Sequence, residues 1–255
     1  MEKPYQTEQV GRYIVALYPD DEPQNPCEEW DMVGTLLCWY SRYNLGHGGS
    51  WGKEHRYDTP EEFLILLLSD EVRERLEKRK EKRNASIPFG EWMKRGDELD
   101  REWTGWLMDE ALKVAVILPL YLYEHGGMTI RTTTFYDRLD SGQVGYIYVT
   151  AEEARKEFGR QWRNKAEHLL RLEVGEYDDY LTGNCWGYRI FVAPEGVDEA
   201  FQVHSFDDLD EVDSCWGFLG DKEYCLEEAR SLVRTWKRRR HERTDLLLDA
   251  GRDGS

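Results

Sequence analysis

Five carboxylates crowd into seven positions of the chain, at Asp207, Asp208, Asp210, Glu211 and Asp213. Oxygen ligands at this density could bind calcium, but the central glycine and terminal glutamate of an EF-hand loop are absent. Carboxylates spread over a surface can also stand in for nucleic-acid phosphates and occupy a basic groove of another protein. The stretch therefore predicts a partner-binding acidic surface, and its alternative is a solvated acidic loop.

Other side chains carry groups that hydrolytic or metal chemistry uses, but none stands in a catalytic spacing. Ser141 and Ser214 each follow an aspartate, yet neither lies in the G-x-S-x-G elbow of a nucleophilic serine. His47 and His125 precede glycine pairs, which indicates turns. A metal-dependent nuclease site would have to combine acids that are far apart in the chain, namely Asp31, Asp137, Asp140, Glu173 and Asp178. No D-x-D, E-x-K or H-x-H pattern selects any of them, so we predict no catalytic residue, no metal ligand and no cofactor.

Arg42, Tyr43 and Arg131 are the basic and aromatic residues that we predict to line a ligand pocket. Guanidinium groups neutralise phosphates, and aromatic rings stack on nucleobases. If these three residues meet at one concavity, the chain could sequester a nucleotide signal. This hypothesis is independent of the acidic surface.

The tetrapeptide Cys-Trp-Gly-aromatic occurs twice, thirty residues apart. If the two segments pair as antiparallel strands with Trp186 opposite Gly217, the same register puts Trp216 opposite Gly187. Each indole then covers the glycine of the other strand, an arrangement that stabilises glycines in sheets. The repeat therefore predicts two neighbouring strands.

The cysteines in this register have a packing role. Cys185 faces Phe218 and Cys215 faces Tyr188, so the two sulfur atoms do not meet. The chain has five cysteines and no C-x-x-C pair, which indicates neither a disulfide framework nor a structural zinc site. We predict that these thiols behave as small buried hydrophobic groups.

Charge is distributed unevenly along the chain. The segment 71–83 holds seven bases against four acids, and 230–243 holds seven bases against one acid, although the net charge is −17. The remainder is acidic enough to repel phosphate backbones and attract basic surfaces. We expect both basic helices to lie against this acidic body, and direct nucleic-acid binding through them is the alternative.

The ends and apolar stretches of the chain predict a location. The first ten residues lack the basic segment and apolar run of a signal peptide. The longest apolar stretches, FLILLL and VAVILPLYLY, are too short to span a membrane. We expect a protein of a reducing cytoplasm without membrane contact.

Helix and strand signals alternate in a way that predicts an α+β fold. Helix starts are indicated by Thr59 before Pro60, and by Thr150 with Glu153 three residues later. Strands are predicted over 11–18, 33–43, 114–125, 129–136, 142–150 and the two repeats, and the third to fifth of these form a meander. The expected architecture is one antiparallel sheet of about five to seven strands, packed with helices and carrying an inserted helical hairpin.

The domain prediction follows from the same helix and strand signals. A single α+β domain spans 1–255, with an inserted helical segment at 69–112 and an acidic insertion at 193–210. The final predicted helix runs to about Arg243, and 244–255 form a tail.

Several blocks resemble a family of small proteins encoded in bacteriophage and prophage genomes. They are Glu29-Trp30-Asp31, Gly34-Thr35, Cys38-Trp39, Arg42-Tyr43-Asn44-Leu45-Gly46, VILPLYLYEHGG, DSGQVGYIYV and DSCWGF. The resemblance covers most of the chain, and 69–112 and 193–210 look like insertions into a shorter core. It brings no catalytic residues and implies an accessory protein made inside a bacterial cell.

Three functions are consistent with these features. The first is an accessory binding protein that inhibits a host defence or nucleic-acid-handling complex, such as a CRISPR effector, by stoichiometric contact through its acidic surface. The second is a carboxylate-based, metal-dependent enzyme acting on nucleic acid or nucleotides. The third is a pocket protein that sequesters a nucleotide signal. We favour the first, in which the partner is a host protein or protein–nucleic-acid complex.

Overall fold

The chain divides into two compact units. The computed structural model describes residues 3–47, 59–137, 139–193, 206 and 209–250, and for 239–250 it describes only the backbone. One unit comprises 1–24 and 179–255, and the other comprises 25–178. The prediction of a single domain over 1–255 stays a prediction.

The unit built from both chain ends contains a four-stranded antiparallel sheet. Its strands are β1 (Gln6–Val10), β2 (Tyr13–Pro19), β7 (Cys185–Val192) and β8 (Glu211–Leu219), in the order β1-β2-β7-β8. Helix α8 (Lys222–Ala250) covers one face of this sheet and continues past its predicted end at Arg243. The buried residues of this contact are Val15, Leu17, Tyr188, Ile190, Cys225, Leu226, Ala229 and Val233.

The middle unit contains a second antiparallel sheet with the strand order β3-β6-β4-β5. The strands are β3 (Thr35–Cys38), β4 (Ala115–Glu124), β5 (Met128–Arg131) and β6 (Ser141–Thr150). The helices are α1 (Pro26–Glu29), α2 (Pro60–Leu67), α3 (Asp70–Ala85), α4 (Phe89–Trp92), α5 (Gly96–Val114), α6 (Ala151–Phe158) and α7 (Trp162–Thr182). The boundary between the two units falls within α7.

The predicted α+β class is confirmed, with a different arrangement of strands. The strands form two sheets of four instead of one larger sheet. The predicted meander is wrong, because β6 pairs with β4 and β3 and not with β5. The long apolar strand β4 thereby takes an inner position, where both of its edges are hydrogen-bonded.

The helix starts that the sequence indicates are confirmed. The hydroxyl of Thr59 accepts a hydrogen bond from Glu62 N. Thr150 and Glu153 form a reciprocal capping box, which satisfies amide groups that the first turn of α6 would leave unpaired. The helical segment predicted over 69–112 corresponds to α3, α4 and α5, and Arg75 of α3 bridges Glu110 of α5 at 3.0 Å.

Three side chains of α7 fasten this helix to the sheet of the middle unit. Glu173 accepts hydrogen bonds from Val33 N at 2.7 Å and from Gly34 N at 2.9 Å. The Tyr177 hydroxyl accepts from Gly46 N at 2.8 Å, and Asp178 Oδ1 accepts from Ile130 N and from the Thr129 hydroxyl, both at 2.7 Å. The helix thus fixes both chain segments that carry the predicted pocket residues, the loop after β3 and the end of β5.

The two Cys-Trp-Gly segments do pair as neighbouring antiparallel strands, and half of the predicted register is confirmed. Tyr188 pairs with Cys215 as predicted, and a Cβ added at Gly187 would lie 2.2 Å from Cε3 of Trp216. The indole of Trp216 therefore covers Gly187.

The reciprocal half of this arrangement is wrong. Trp186 pairs with Phe218 and not with Gly217, and Cys185 pairs with Leu219 and not with Phe218. Two residues of β8 oppose one residue of β7 here, which is a β-bulge, and Gly217 takes a φ of 85°. The bulge shifts the rest of the strand by one residue and leaves Gly217 uncovered.

The cysteines form no disulfide, and four of the five are buried as predicted. Burial raises the pKa of Cys38 and Cys225 to about 12, as expected for packing thiols. Cys215 is exposed on β8, so the prediction of burial is wrong for this residue. It shares a sheet face with its buried partner Tyr188, but β8 is the edge strand of the sheet, so no further strand of the described residues shields this position.

Candidate functional site: two cavities at the end of the β4–β6 pair

Glu124, the last residue of β4, is the centre of a side-chain cluster in the middle unit. Its Oε2 accepts a hydrogen bond from the Tyr40 hydroxyl at 2.5 Å, and its Oε1 accepts one from the Tyr43 hydroxyl at 3.0 Å. Arg42 Nη1 lies 3.3 Å from Oε2. The rings of Tyr40 and Tyr43 stack with their centroids 6.1 Å apart.

This cluster holds Glu124 as a carboxylate. The hydrogen bond from Tyr40 is the main cause that lowers the pKa of Glu124, and the bond from Tyr43 and the nearby Arg42 charge act in the same direction. The same bonds raise the pKa of both tyrosines, because a phenol that donates to a carboxylate gives up its proton less readily. The site therefore presents a fixed negative charge between neutral phenols.

A cavity of about 380 Å³ opens beside this cluster. Its apolar floor contains Leu122 and Val144, which are 2% and 7% exposed. Among the described residues, its charged lining side chains are Arg42, Glu124 and Asp140, so acids outnumber bases among them. The described lining residues are Tyr40, Arg42, Leu122, Glu124, Leu139, Asp140, Ser141, Gly142, Gln143 and Val144. We call it the Glu124 cavity.

Asp140, on the rim of the Glu124 cavity, is held in place by contacts with Glu124 and His125. His125 Nδ1 lies 3.0 Å from Asp140 Oδ2, and Glu124 N donates to the Asp140 carbonyl at 3.0 Å. The first contact orients the carboxylate, and the second ties it to the end of β4.

A second cavity, of about 680 Å³, shares Ser141, Gly142 and Gln143 with the first. Arg131 donates from Nε to Thr133 O at 3.0 Å and from Nη2 to Thr134 O at 2.6 Å. Its guanidinium carbon lies 3.7 Å from the ring centroid of Phe135. The described residues that line it are Tyr121, Arg131, Thr134, Phe135, Tyr136, Ser141, Gly142 and Gln143. We call it the Arg131 cavity.

The predicted pocket residues are thus brought to neighbouring positions, in a different combination from the one expected. Arg42 and Tyr43 meet at Glu124, whereas Arg131 lines the adjacent cavity. Tyr40 and Glu124 are the residues that sequence reasoning missed. The block YEHGG, which ends a strand with a carboxylate before a turn, was the one available signal.

The predicted acidic surface is only partly within the described residues. Asp207 and Asp208 lie outside them, whereas Asp210 and Glu211 are exposed and Asp213 is half-buried. Asp213 pairs with Ile190 and Glu211 with Phe191, across a second register shift.

This register shift separates two of the predicted acids. Paired residues of neighbouring strands point to the same face of a sheet, and successive residues of β7 point to opposite faces. Glu211 and Asp213 therefore lie on opposite faces of their sheet.

The acids considered for a metal-dependent enzyme do not converge. Glu173 and Asp178 bind backbone amides, as described above, and Asp137 Oδ1 accepts from Leu139 N at 2.9 Å. Asp140 pairs with His125, and Asp31 is exposed. Among the residues that the structure describes, no group of three or more His, Cys, Asp or Glu side chains is arranged to hold a metal ion.

Of the two histidines considered above, His47 contacts a strand of the middle unit, and His125 contacts Asp140. His47 Nδ1 accepts a hydrogen bond of 2.9 Å from Leu36 N, and His47 N donates a hydrogen bond to Leu36 O. Burial lowers the pKa of the His47 ring. This residue therefore extends the hydrogen bonding of β3.

Several basic residues of α3 and of the described part of α8 contact acids and tryptophans of their own units. Arg79 lies 3.8 Å from the ring centroid of Trp106, and Arg83 bridges Glu102 at 3.0 Å. In the other unit, Arg230 contacts the carboxylates of Glu8, Glu223 and Glu227.

Comparison with protein-family models, curated proteins and solved structures found no match to this chain. Within the described residues, no helix has the length and apolar character needed to cross a membrane.

Proposed function

We propose that this protein is a non-catalytic accessory protein that binds a host protein or protein–nucleic-acid complex through acidic surfaces. In this proposal it is phage-encoded, acts in the cytoplasm of the bacterial host and inhibits a defence complex such as a CRISPR effector. The resemblance of the motif blocks to phage and prophage proteins supports this source.

The observation that carries the proposal is that basic side chains of α3 and α8 make contacts within the protein itself. Arg83 and Arg230 pair with acids of their own units and so neutralise charge within the protein, and Arg79 lies against the ring of Trp106. The chain still has a net charge of −17. The acids that remain without a basic partner therefore give the protein surface an excess of negative charge. Such a surface attracts a basic groove and steers the encounter with it.

A concave acidic surface in the unit of the chain ends adds to this support. A cavity of about 650 Å³ is lined by Asp20, Asp21 and Glu22, together with Pro19, Pro23 and 180–183. Asp21 and Glu22 are exposed. Clefts lined by charges of one sign focus the electrostatic field.

Neutralising the described part of the predicted acidic surface should weaken partner binding about tenfold. The variant is Asp210→Asn/Glu211→Gln/Asp213→Asn, and the measurement is the amount of partner captured from lysate of host cells on the tagged protein. Capture by the wild-type protein should also fall between about 0.1 M and about 1 M salt, where the Debye length shortens from about 10 Å to about 3 Å.

The matched control is Asp100→Asn/Asp109→Asn/Glu157→Gln, which makes the same change in charge at exposed positions of α5 and α6. This control should retain capture. Equal losses in both variants, or capture that resists salt, would contradict a partner site at the predicted surface.

A nucleotide-sequestering pocket is the second candidate, and the Arg131 cavity favours it. Among the described residues that line this cavity, Arg131 is the one charged side chain, and its guanidinium stacks on Phe135 beside Tyr121 and Tyr136. Aromatic rings of this kind stack on nucleobases, and a guanidinium binds phosphate. The enzyme alternative stays a prediction.

Replacing Arg131 by alanine should weaken nucleotide binding at least about tenfold, because the cavity loses its positive charge. Calorimetric titration with adenosine and guanosine mononucleotides measures this. Arg131→Lys should give an intermediate affinity, since it keeps the charge and loses the planar stack. Arg101→Ala, on an exposed position of α5, should have no effect. Absence of binding to the wild-type protein would reject this second candidate.

A further inference from the structure

The Glu124 cavity has the chemistry of a receptor for a basic side chain. Its floor of Leu122 and Val144 suits an aliphatic stem, and the carboxylates of Glu124 and Asp140 stand at its rim. Long basic side chains bury their stems along apolar surface and keep their charged ends at polar groups. Tyr40 adds an aromatic face beside the same carboxylates.

Both carboxylates are held in place before any partner arrives. Tyr40 and Tyr43 each donate to a different oxygen of Glu124, and His125 contacts Asp140. The loop with the two tyrosines is in turn fixed at Gly46 by Tyr177. A fixed site loses less conformational freedom on binding than a mobile one.

Arg42 indicates which basic group the cavity accepts. Its Nη1 alone lies 3.3 Å and 3.5 Å from the two oxygens of Glu124. A guanidinium in its preferred geometry binds a carboxylate with two parallel N–H groups at about 2.7–2.9 Å. The Arg42 side chain is also 69% exposed, and ion pairs at such positions contribute little to stability. An external guanidinium could therefore replace it with better geometry.

We propose that the Glu124 cavity receives an arginine side chain of the binding partner, which displaces Arg42 from Glu124. This inference rests on the proposed function, because it names the chemical group through which a basic partner contacts the acidic protein. Arginine is preferred to lysine, since only its planar fork can bind a carboxylate bidentately and stack on a tyrosine ring.

The test uses three short acetylated and amidated peptides that differ at one central position, with arginine, lysine or the neutral isostere citrulline. Chemical-shift titration of the full-length protein measures their affinity. The arginine peptide should bind saturably and perturb Tyr40, Tyr43 and Gly142. The lysine peptide should bind several-fold more weakly, and the citrulline peptide at least tenfold more weakly.

Two variants give opposite expected results. Glu124→Gln should weaken binding of the arginine peptide at least tenfold, whereas Arg42→Ala should strengthen it several-fold because the competing guanidinium is gone. A gain in affinity requires a folded protein, so the result for Arg42→Ala cannot come from a folding defect. Asp109→Asn, an equal charge change on exposed α5, should leave binding unchanged.

Some outcomes would overturn the inference. These are equal affinity for the arginine and citrulline peptides, unchanged binding in Glu124→Gln, or weaker binding in Arg42→Ala. Salt-sensitive capture of a host partner that is unaffected by Glu124→Gln would also overturn it, and would leave the proposed function standing. Specific peptide binding without any salt-sensitive capture would contradict the proposed function and support the cavity.

Discussion

Replacing Gly145 by alanine is expected to lower the free energy of unfolding by about 3 kcal/mol, the upper part of the usual range for overpacking. A Cβ at Gly145 would lie 1.8 Å from the carbonyl oxygen of Leu37 and 3.0 Å from the Cα of Cys38. Both contacts are with backbone, which cannot rotate away as a side chain can. The strand β3 would have to move from β6, and the two are paired from Thr35 to Cys38.

The control lies in the same strand. A Cβ at Gly142 meets no atom within 4 Å, so Gly142→Ala should change stability by no more than about 0.5 kcal/mol. Urea unfolding of the wild-type protein and both variants measures the difference. Similar effects of the two substitutions would contradict the close approach of β3 and β6 at Gly145.

The displacement of β3 in Gly145→Ala should also change the Glu124 cavity. Trp39 N, directly after β3, donates to Val144 O at 2.8 Å, and Tyr40 is the next residue. A shift of β3 would therefore move the Tyr40 hydroxyl away from Glu124. Binding of the arginine peptide should therefore weaken in Gly145→Ala.

Local signals in the sequence predicted much of the secondary structure. The caps at Thr59 and Thr150 depend on residues three positions away, and the structure confirms both. The pairing of the two Cys-Trp-Gly segments was also predictable, because consecutive strands often pair. Information within a few residues is sufficient for such features.

The incorrect predictions concern strand register and long-range contacts, which the local sequence does not determine. The bulge at Gly217 shifts the register by one residue, and no rule for paired strands predicts where an extra residue is inserted. The Glu124 cluster joins residues more than eighty positions apart, so neither Tyr40 nor Glu124 stood out. Long-range contacts of this kind depend on the order of strands, which was predicted incorrectly for β6.

Glu173 is the clearest example, since in the sequence it is only one of five scattered acids that a metal site would have to combine, and the structure gives it a structural role. Its side chain accepts hydrogen bonds from amides about 140 residues away, and the residue is 5% exposed. Gly34 permits this approach, because a Cβ there would lie 2.6 Å from Oε2 of Glu173. Only the folded chain shows why a glycine and a glutamate are needed together.

Replacing Glu173 by alanine should therefore lower the free energy of unfolding by about 3 kcal/mol. Hydrogen bonds to a charged group contribute about 1.5–3 kcal/mol each, and the substitution leaves the amides of Val33 and Gly34 without their acceptor. The exposed Glu176 on the same helix gives the control, and Glu176→Ala should change stability by no more than about 0.5 kcal/mol. Equal losses in urea unfolding would contradict the role of Glu173.

The pH dependence of stability shows whether the cost of burying the Glu173 charge or the gain from its hydrogen bonds is larger. Burial raises the pKa of Glu173, although the amides of Val33 and Gly34 act in the opposite direction. A raised pKa in the folded state means that its contribution is complete below the unfolded value, about 4.3, and is lost as pH rises through the folded value. The stability of the wild-type protein relative to Glu173→Gln should therefore fall with increasing pH in this window. A relative stability that rises instead would mean that the two amide hydrogen bonds outweigh the cost of burying the charge.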